Sequence, residues 1–134
     1  MSGINLLIID DEEDFMSALS ERLELRRYKV RTVNSAEAAF GEVKRQVPEV
    51  VLLDLKMPGM HGIEVLKILK QLDTSIEIII LTGQGLNKHK EEALKHGAFD
   101  FLLKPVDIDT LIERIEQANK KRIIEKQYLN SKRI

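Results

Sequence analysis

The sequence has no cysteine and no tryptophan, and it contains only three prolines and seven glycines in 134 residues. Without cysteine it can form neither a disulfide nor a thiolate zinc site, which agrees with a reducing compartment. Its longest apolar run, residues 78–81, is far too short to cross a bilayer, and residues 1–20 lack a basic start followed by an apolar stretch. We therefore expect a cytoplasmic protein that does not enter a membrane.

Length and charge indicate one domain followed by a basic tail. A chain of 134 residues with 43% hydrophobic content fits a single core. The net charge is −1, but residues 120–134 hold six basic residues and one acid, so this stretch carries +5 and the remainder −6. We predict a globular domain over 1–118 and a basic helical extension or linker over 119–134.

Short apolar runs alternate with amphipathic segments along the chain. Five runs are apolar enough for strands: 4–9, 28–33, 50–53, 76–81 and 99–103. Apolar residues between them recur at helical spacing; Asn34 and Asp107 are predicted helix caps, and Gly97 is a predicted helix end. Such alternation is typical of an α/β fold, because parallel strands need crossover helices.

Polar residues end four of these apolar runs abruptly. Asp10 and Asp11 follow the first run, Asp54 the third, Thr82 the fourth and Lys104 the fifth. Because parallel strands end at one edge of the sheet, these side chains should converge there. Unpaired carboxylates about 4 Å apart repel by roughly 4 kcal/mol at an effective dielectric of 20. The predicted cluster therefore needs a cation.

Two other groups of polar residues are interpreted as ordinary surface features. Three acids fall in the first turn of a predicted helix, where the helix dipole favours negative charge: Glu12, Glu13 and Asp14. Three histidines share no spacing and are predicted to be solvated: His61, His89 and His96.

Four segments carry a family resemblance: IIDDE (8–12), LLDLKMPGMHGIEVL (52–66), ILTG (80–83) and GAFDFLLKP (97–105). Over residues 4–118 the chain resembles the receiver domains of two-component response regulators. The resemblance implies a flavodoxin-like, doubly wound sheet of five parallel strands in the order 2-1-3-4-5, with five helices.

The resemblance also implies a phosphorylation site and a metal site. Asp54 matches the residue that attacks the phosphorus of a phosphohistidine and becomes an acyl phosphate. Asp11 matches a direct ligand of Mg²⁺, Asp10 a ligand that acts through water, and Lys56 contributes its backbone carbonyl, with Mn²⁺ as an alternative ion. The expected protein partner is a sensor histidine kinase or a phosphotransfer protein.

Further residues match supporting roles. Lys104 matches the lysine that pairs with Asp54, and Thr82 the hydroxyl donor to the phosphoryl group. Residues 57–59 and Gly62 are expected to form a tight turn after Asp54, because glycine adopts backbone angles that other residues avoid. Phe101 matches an aromatic that turns inward on activation, although an aromatic in a strand is also an ordinary core residue.

Two positions match residues that tune how fast the acyl phosphate hydrolyses. The residues at these positions are Lys56 and Gln84, and the sequence does not show whether they speed or slow the hydrolysis. The resemblance thus predicts a signalling switch that assists its own phosphoryl transfer and autodephosphorylation, and is not otherwise an enzyme. Its output face comprises the fourth helix, fifth strand and fifth helix, which controls a partner, a second copy or a downstream domain.

Two other functions stay open. A haloacid dehalogenase-type phosphohydrolase also places an aspartate after its first strand, but it needs a second aspartate where this chain has Glu12, and it needs a cap domain. A receiver-like adaptor that is never phosphorylated is the second alternative, although such chains tend to lose the residues retained here. Whether the chain acts alone or belongs to a longer regulator is also open.

The tail allows three interpretations. The helical stripe of the last segment ends at Ala118, and apolar residues return at 123, 124, 128 and 129 in a different direction. The tail is a frayed end, a nucleic-acid contact, or a helix that pairs with a second subunit or downstream segment. It lacks the aromatic residues of a nucleic-acid site, so we expect no direct nucleic-acid binding.

Overall fold

Strands and helices alternate strictly along the chain. The computed structural model describes residues 3–83 and 87–132. Its elements are β1 Asn5–Ile9, α1 Glu13–Glu24, β2 Lys29–Val33, α2 Ala36–Arg45, β3 Val50–Leu53, α3 Gly62–Leu72, β4 Glu77–Thr82, α4 Asn87–Lys95, β5 Asp100–Leu103 and α5 Ile108–Ser131. The five predicted strands are confirmed, each within one residue at either end.

The strands form one parallel sheet in the order β2-β1-β3-β4-β5, which confirms the predicted fold. Successive residues of β1 enter opposite layers of the core. Leu7 and Ile9 pack beneath α2, α3 and α4, whereas Leu6 and Ile8 pack beneath α1 and α5. Because both faces are covered, the inner strands are apolar over most of their length rather than alternating, with polar residues only at their ends.

Two of the three predicted helix ends are confirmed and one is displaced. Asp107 caps α5 by accepting a hydrogen bond from the Thr110 backbone N–H at 3.2 Å. Gly97 follows α4 with φ of +100°, a conformation that suits glycine. The cap of α2 is Ser35 rather than Asn34, because the Asn34 amide donates instead to Glu13 of α1 at 3.0 Å.

The last helix continues well beyond the part that packs on the sheet. Its inward residues are buried as the apolar spacing predicts: Ile108, Leu111, Ile115 and Ala118, with Ile112 half-buried. One turn later, Lys121 binds Glu77 and Arg122 binds Glu49, at 2.8 and 2.7 Å. These ion pairs connect the extension to the end of the sheet opposite the predicted site. Beyond them, the apolar residues of the extension are exposed: Ile123, Ile124, Tyr128 and Leu129.

Within residues 3–83 and 87–132, no helix is both long enough and apolar enough to cross a bilayer.

Candidate functional site

The polar residues that end separate strands lie together at the carboxyl edge of the sheet. Asp10, Asp54 and Thr82 are buried, with 2%, 5% and 0% of their surface exposed. Backbone hydrogen bonds extend the sheet past the strands and fix these positions. The Asp54 N–H donates to the Ile9 carbonyl at 3.0 Å, and the Lys104 N–H donates to the Thr82 carbonyl at 2.8 Å. The expected convergence follows from the parallel topology.

Lys104 is the cation among these acids. Its ammonium lies 2.7 Å from Asp10, 2.8 Å from Glu12 and 3.7 Å from Asp54. It also lies 4.0 Å from the centre of the Phe15 ring, within the range of a cation–π contact. The lysine is therefore held mainly by the β1–α1 segment, while the Asp54 carboxylate remains within ion-pair distance.

The interpretation of Glu12 as only a first-turn acid was incomplete. Glu12 occupies the N-cap position of α1 but makes no side-chain cap bond. Its carboxylate reaches Lys104, which is 92 residues away in the sequence. The local pattern gave no signal for this contact, because the sequence presents Glu12 as one of five consecutive acids. Glu13 and Asp14 lie in the first turn of α1, as expected.

Burial and charge act against each other in this cluster. Burial raises the pKa of Asp10 above its ordinary value; bonds from Lys104 and the Glu12 backbone N–H lower it, and the charge of Asp54 raises it. Burial alone would lower the pKa of Lys104, but its hydrogen bonds to Asp10 and Glu12 raise it overall. The site is therefore a desolvated charge cluster in which the ammonium offsets part of the carboxylate repulsion.

The donor atoms fit a hard divalent cation. Carboxylate oxygens of Asp10, Glu12 and Asp54 lie within 4.8 Å of one another. Asp11 is exposed, and it lines with Asp54 and Thr82 a cleft of about 370 Å³. Oxygen donors beside an open, solvated cleft are what Mg²⁺ prefers, since it retains several waters. Glu12 belongs to this oxygen cluster, although it was not among the metal ligands predicted from the sequence.

The two tuning positions are placed differently. Lys56 lines the same cleft, and its backbone N–H donates to the Asp54 carboxylate at 3.3 Å. The role of its carbonyl as a ligand stays a prediction. Gln84 lies outside the described residues.

The loop after Asp54 needs its two glycines for different reasons. Gly59 has φ of +90°, as a tight turn requires. Gly62 does not have a positive φ, so the expectation based on backbone angles is wrong there. A Cβ at Gly62 would lie 2.5 Å from the Leu55 Cα and 2.8 Å from the Asp54 carbonyl oxygen. Gly62 is thus required for the close approach of α3 to the Asp54 backbone.

Phe101 is buried in the core layer beneath α2, α3 and α4, with 8% of its surface exposed. It pairs with Ile80 in the sheet, two residues before Thr82. This position is compatible with both interpretations of Phe101, as a core residue and as an aromatic that responds to Thr82.

Two of the three histidines do not behave as separate surface groups. The rings of His61 and His89 lie with their centres 5.6 Å apart. His61 caps α3 by accepting a hydrogen bond from the Ile63 N–H at 3.2 Å, and the Nδ1 atom of His89 is buried. The prediction that the histidines are unrelated is therefore wrong for this pair, and the burial of the His89 Nδ1 atom departs from the predicted solvation, whereas His61 is exposed as predicted. Their proximity results from the packing of α3 against α4, which sequence spacing does not report.

Comparisons with known proteins agree with the fold. Transcriptional regulatory protein ZraR of Escherichia coli (strain K12) is 37% identical over 116 residues, covering 87% of this chain but only 26% of ZraR. NtrX from Brucella abortus has a TM-score of 0.90 at 25% identity, covering 98% of this chain and 30% of NtrX.

Another solved structure shows the same fold over nearly the whole of its chain. A CheY-like receiver domain protein from Methanospirillum hungatei JF-1 has a TM-score of 0.87 at 25% identity, covering 91% of this chain and 98% of that one. The family model described as the response regulator receiver domain matches residues 6–116. The chain therefore belongs to the response regulator receiver domain family.

Proposed function

We propose that this receiver accepts a phosphoryl group on Asp54 from a phosphohistidine, carried by a sensor histidine kinase or a phosphotransfer protein. One observation carries the proposal. Three carboxylates, from Asp10, Glu12 and Asp54, surround a single ammonium from Lys104 beside an open cleft. A charge-rich cleft of this kind suits phosphoryl transfer, which depends mainly on positioning and charge neutralisation.

In the proposed reaction an oxygen of the Asp54 carboxylate attacks phosphorus. The bond from phosphorus to the imidazole nitrogen breaks, and its electron pair remains with the imidazole. Lys104, which is within ion-pair distance of Asp54, pairs with the transferred phosphoryl oxygens. Thr82 lines the cleft and donates its hydroxyl to another of these oxygens.

The donor set fits Mg²⁺, with Mn²⁺ as an alternative. Asp10, Asp11, Asp54 and the backbone carbonyl of Lys56 would hold the ion, and Glu12 lies close enough to assist. The bound ion supplies positive charge that offsets both the carboxylates and the incoming phosphoryl oxygens. Lys56 and Gln84 adjust how long the acyl phosphate survives, by positioning or obstructing water.

The proposed output is a change in the face made by α4, β5 and α5. Movement of Thr82 toward the phosphoryl group opens space beside Ile80, the sheet partner of Phe101, into which Phe101 packs more deeply. Thr82→Ala should still accept phosphate but should not shift this face. Amide NMR spectra recorded before and after phosphorylation test the link, and identical shifts in Thr82→Ala and wild type would refute it.

The proposed partners follow from the family and from the exposed parts of the chain. The chain spans about a quarter of the length of ZraR, a transcriptional regulator. We propose that the switched face controls a downstream domain or a second copy of the chain, and that the extension of α5 takes part in self-pairing. Direct contact with nucleic acid is not proposed for these residues, and the cytoplasmic location stays a prediction.

A phosphotransfer assay separates this function from its two alternatives. With labelled acetyl phosphate and Mg²⁺, a receiver carries at most one label per chain, on Asp54. A phosphohydrolase would release many equivalents of inorganic phosphate, and an unphosphorylated adaptor would do neither. Asp14→Asn, which changes an exposed acid in the first turn of α1, is the matched control and should be labelled like wild type.

A further inference from the structure

A second cleft lies beside the loop that follows Asp54. It measures about 370 Å³, and its lining includes His61, His89, Met57 and Met60. The two imidazole rings lie with their centres 5.6 Å apart and are tilted by 48°. His61 is exposed at the mouth of the cleft, whereas His89 is half-buried on α4. The proposed phosphoryl transfer uses neither histidine.

The spacing of the rings matches two ligands of one metal ion. Zinc binds imidazole nitrogen at about 2.0–2.1 Å, so each ring centre lies roughly 3 Å from the ion. At a tetrahedral angle, two such centres are roughly 5 Å apart. The observed 5.6 Å needs only a small closure of the two rings.

His89 also has unused bonding capacity. Its Nδ1 atom is buried and has no hydrogen-bond partner among residues 3–83 and 87–132. A buried polar atom without a partner destabilises the fold. A ligand in the cleft would give this atom a partner if the His89 ring turns to present Nδ1 to it.

We propose that His61 and His89 together bind one divalent transition-metal ion of the nickel, copper and zinc group. Imidazole nitrogen favours these ions over Mg²⁺, which selects oxygen ligands. The thioethers of Met57 and Met60 provide a polarisable wall, and solvent completes the coordination at the open mouth. This site is separate from the carboxylate cluster, and the proposal does not depend on phosphorylation of Asp54.

Coordination by His61 changes its present role as a helix cap. The Nδ1 atom accepts the Ile63 N–H, so the neutral ring carries its proton on Nε2. When Nε2 binds a metal, that proton moves to Nδ1 and the bond from Ile63 is lost. A neutral hydrogen bond contributes little net stability, and a metal–imidazole bond can offset its loss. Metal binding therefore removes the side-chain cap at the start of α3 and links the loop after Asp54 to α4 through the bound ion.

Calorimetric titration of the untagged full chain with NiCl₂ and ZnSO₄ tests the proposal. Saturating Mg²⁺ competes with the added ion for the carboxylate cluster during the titration. We expect one site in wild type, with the Kd raised at least about tenfold in both His61→Ala and His89→Ala, because even outer-shell changes typically cost 10–100-fold in metal affinity. His96→Ala is the matched control, because its ring is not part of the cleft, and it should bind as wild type does.

Amide NMR gives a readout that adventitious binding would not produce. The metal should shift the Ile63 amide in wild type and in His96→Ala, but not in the other two variants. His61→Gln and His89→Gln replace any alanine variant whose spectrum shows loss of the fold. The proposal is overturned if no ion binds, if binding survives both substitutions, or if His96→Ala loses it equally.

Discussion

The ammonium of Lys104 lies 2.7 Å from the carboxylate of Asp10, and both side chains are nearly inaccessible to water. The lysine is held against β1 although it follows β5, so this ion pair joins two strands that are not neighbours in the sheet. The same ammonium is 3.7 Å from Asp54. The pair thus sets the charge around the proposed phosphorylation site before any phosphoryl group arrives.

Replacing Asp10 should stabilise the protein at neutral pH. Burial raises the pKa of Asp10 in the folded state above its ordinary value of 3.8, so ionised Asp10 opposes folding. Asp10→Asn removes this cost, and we expect a gain of ~1 kcal/mol in the free energy of unfolding at pH 7 in EDTA. The gain should shrink as the pH falls through the folded pKa, and vanish below 3.8, where Asp10 is protonated in both states.

Urea unfolding at a series of pH values measures this gain. Asp11→Asn is the control, because Asp11 is exposed, and it should change the free energy of unfolding by less than about 0.5 kcal/mol. A loss of stability in Asp10→Asn at pH 7 would show that the pair with Lys104 outweighs the burial cost.

Gly62→Ala should destabilise the loop that carries Asp54. The added methyl group would lie 2.5 Å from the Leu55 Cα, where only a backbone shift can relieve the clash. Overpacking of this kind typically costs 1–3 kcal/mol. Gly41→Ala is the matched control, since Gly41 is in α2 with open space around it, and it should gain about 0.5–1 kcal/mol. Thermal unfolding of both variants gives the comparison, and equal effects would contradict the packing argument.

Much of the fold was predictable from the sequence, and the reason is physical. Strands buried on both faces must be apolar, so runs such as residues 50–53 stand out directly. The strand order came from family resemblance, because periodicity does not report which strands pair. Gly62 was identified through its motif but for the wrong reason, since a close backbone approach leaves no mark in the sequence.

The other residues whose roles differ from the prediction depend on long-range contacts. Glu12 reaches Lys104 across 92 residues, and His61 meets His89 through the packing of α3 on α4. The cap of α2 moved by one residue because Asn34 bonds to α1 instead. Local pattern identifies a residue's class and its element, but the partner of a polar side chain depends on tertiary packing.

Lys121→Met should destabilise the fold although Lys121 is half exposed. Its ammonium is 2.8 Å from Glu77, whose side chain is only 3% exposed and whose other oxygen is already without a hydrogen bond in the described chain. Removing Lys121 leaves a buried carboxylate unpaired, at a cost of about 1–3 kcal/mol. Lys120→Met is the control, because Lys120 is exposed and one residue earlier, and it should leave the stability almost unchanged. Amide hydrogen exchange in residues 119–131 should become faster only in Lys121→Met.

Charged residues on the apolar face of the extension should prevent self-pairing. Ile124 and Leu129 are 55% and 62% exposed, and we expect phosphorylated wild type to associate through this face. An Ile124→Lys/Leu129→Lys variant should remain monomeric in sedimentation. Gln127→Lys/Asn130→Lys adds the same charge at exposed polar positions and should associate as wild type does. Monomeric wild type, with and without phosphorylation, would rule out pairing through the extension.

Intact-mass spectrometry after treatment with acetyl phosphate measures phosphorylation of Asp54 directly. We expect one added phosphoryl group on the wild-type chain in the presence of Mg²⁺, none in Asp54→Asn, and none in either protein when EDTA removes the ion. Asp14→Asn should match wild type and show that loss of an acid alone does not abolish labelling. Equal labelling of Asp54→Asn and wild type, or labelling that is unaffected by EDTA, would contradict the assignment of Asp54 as the metal-dependent phosphoryl acceptor.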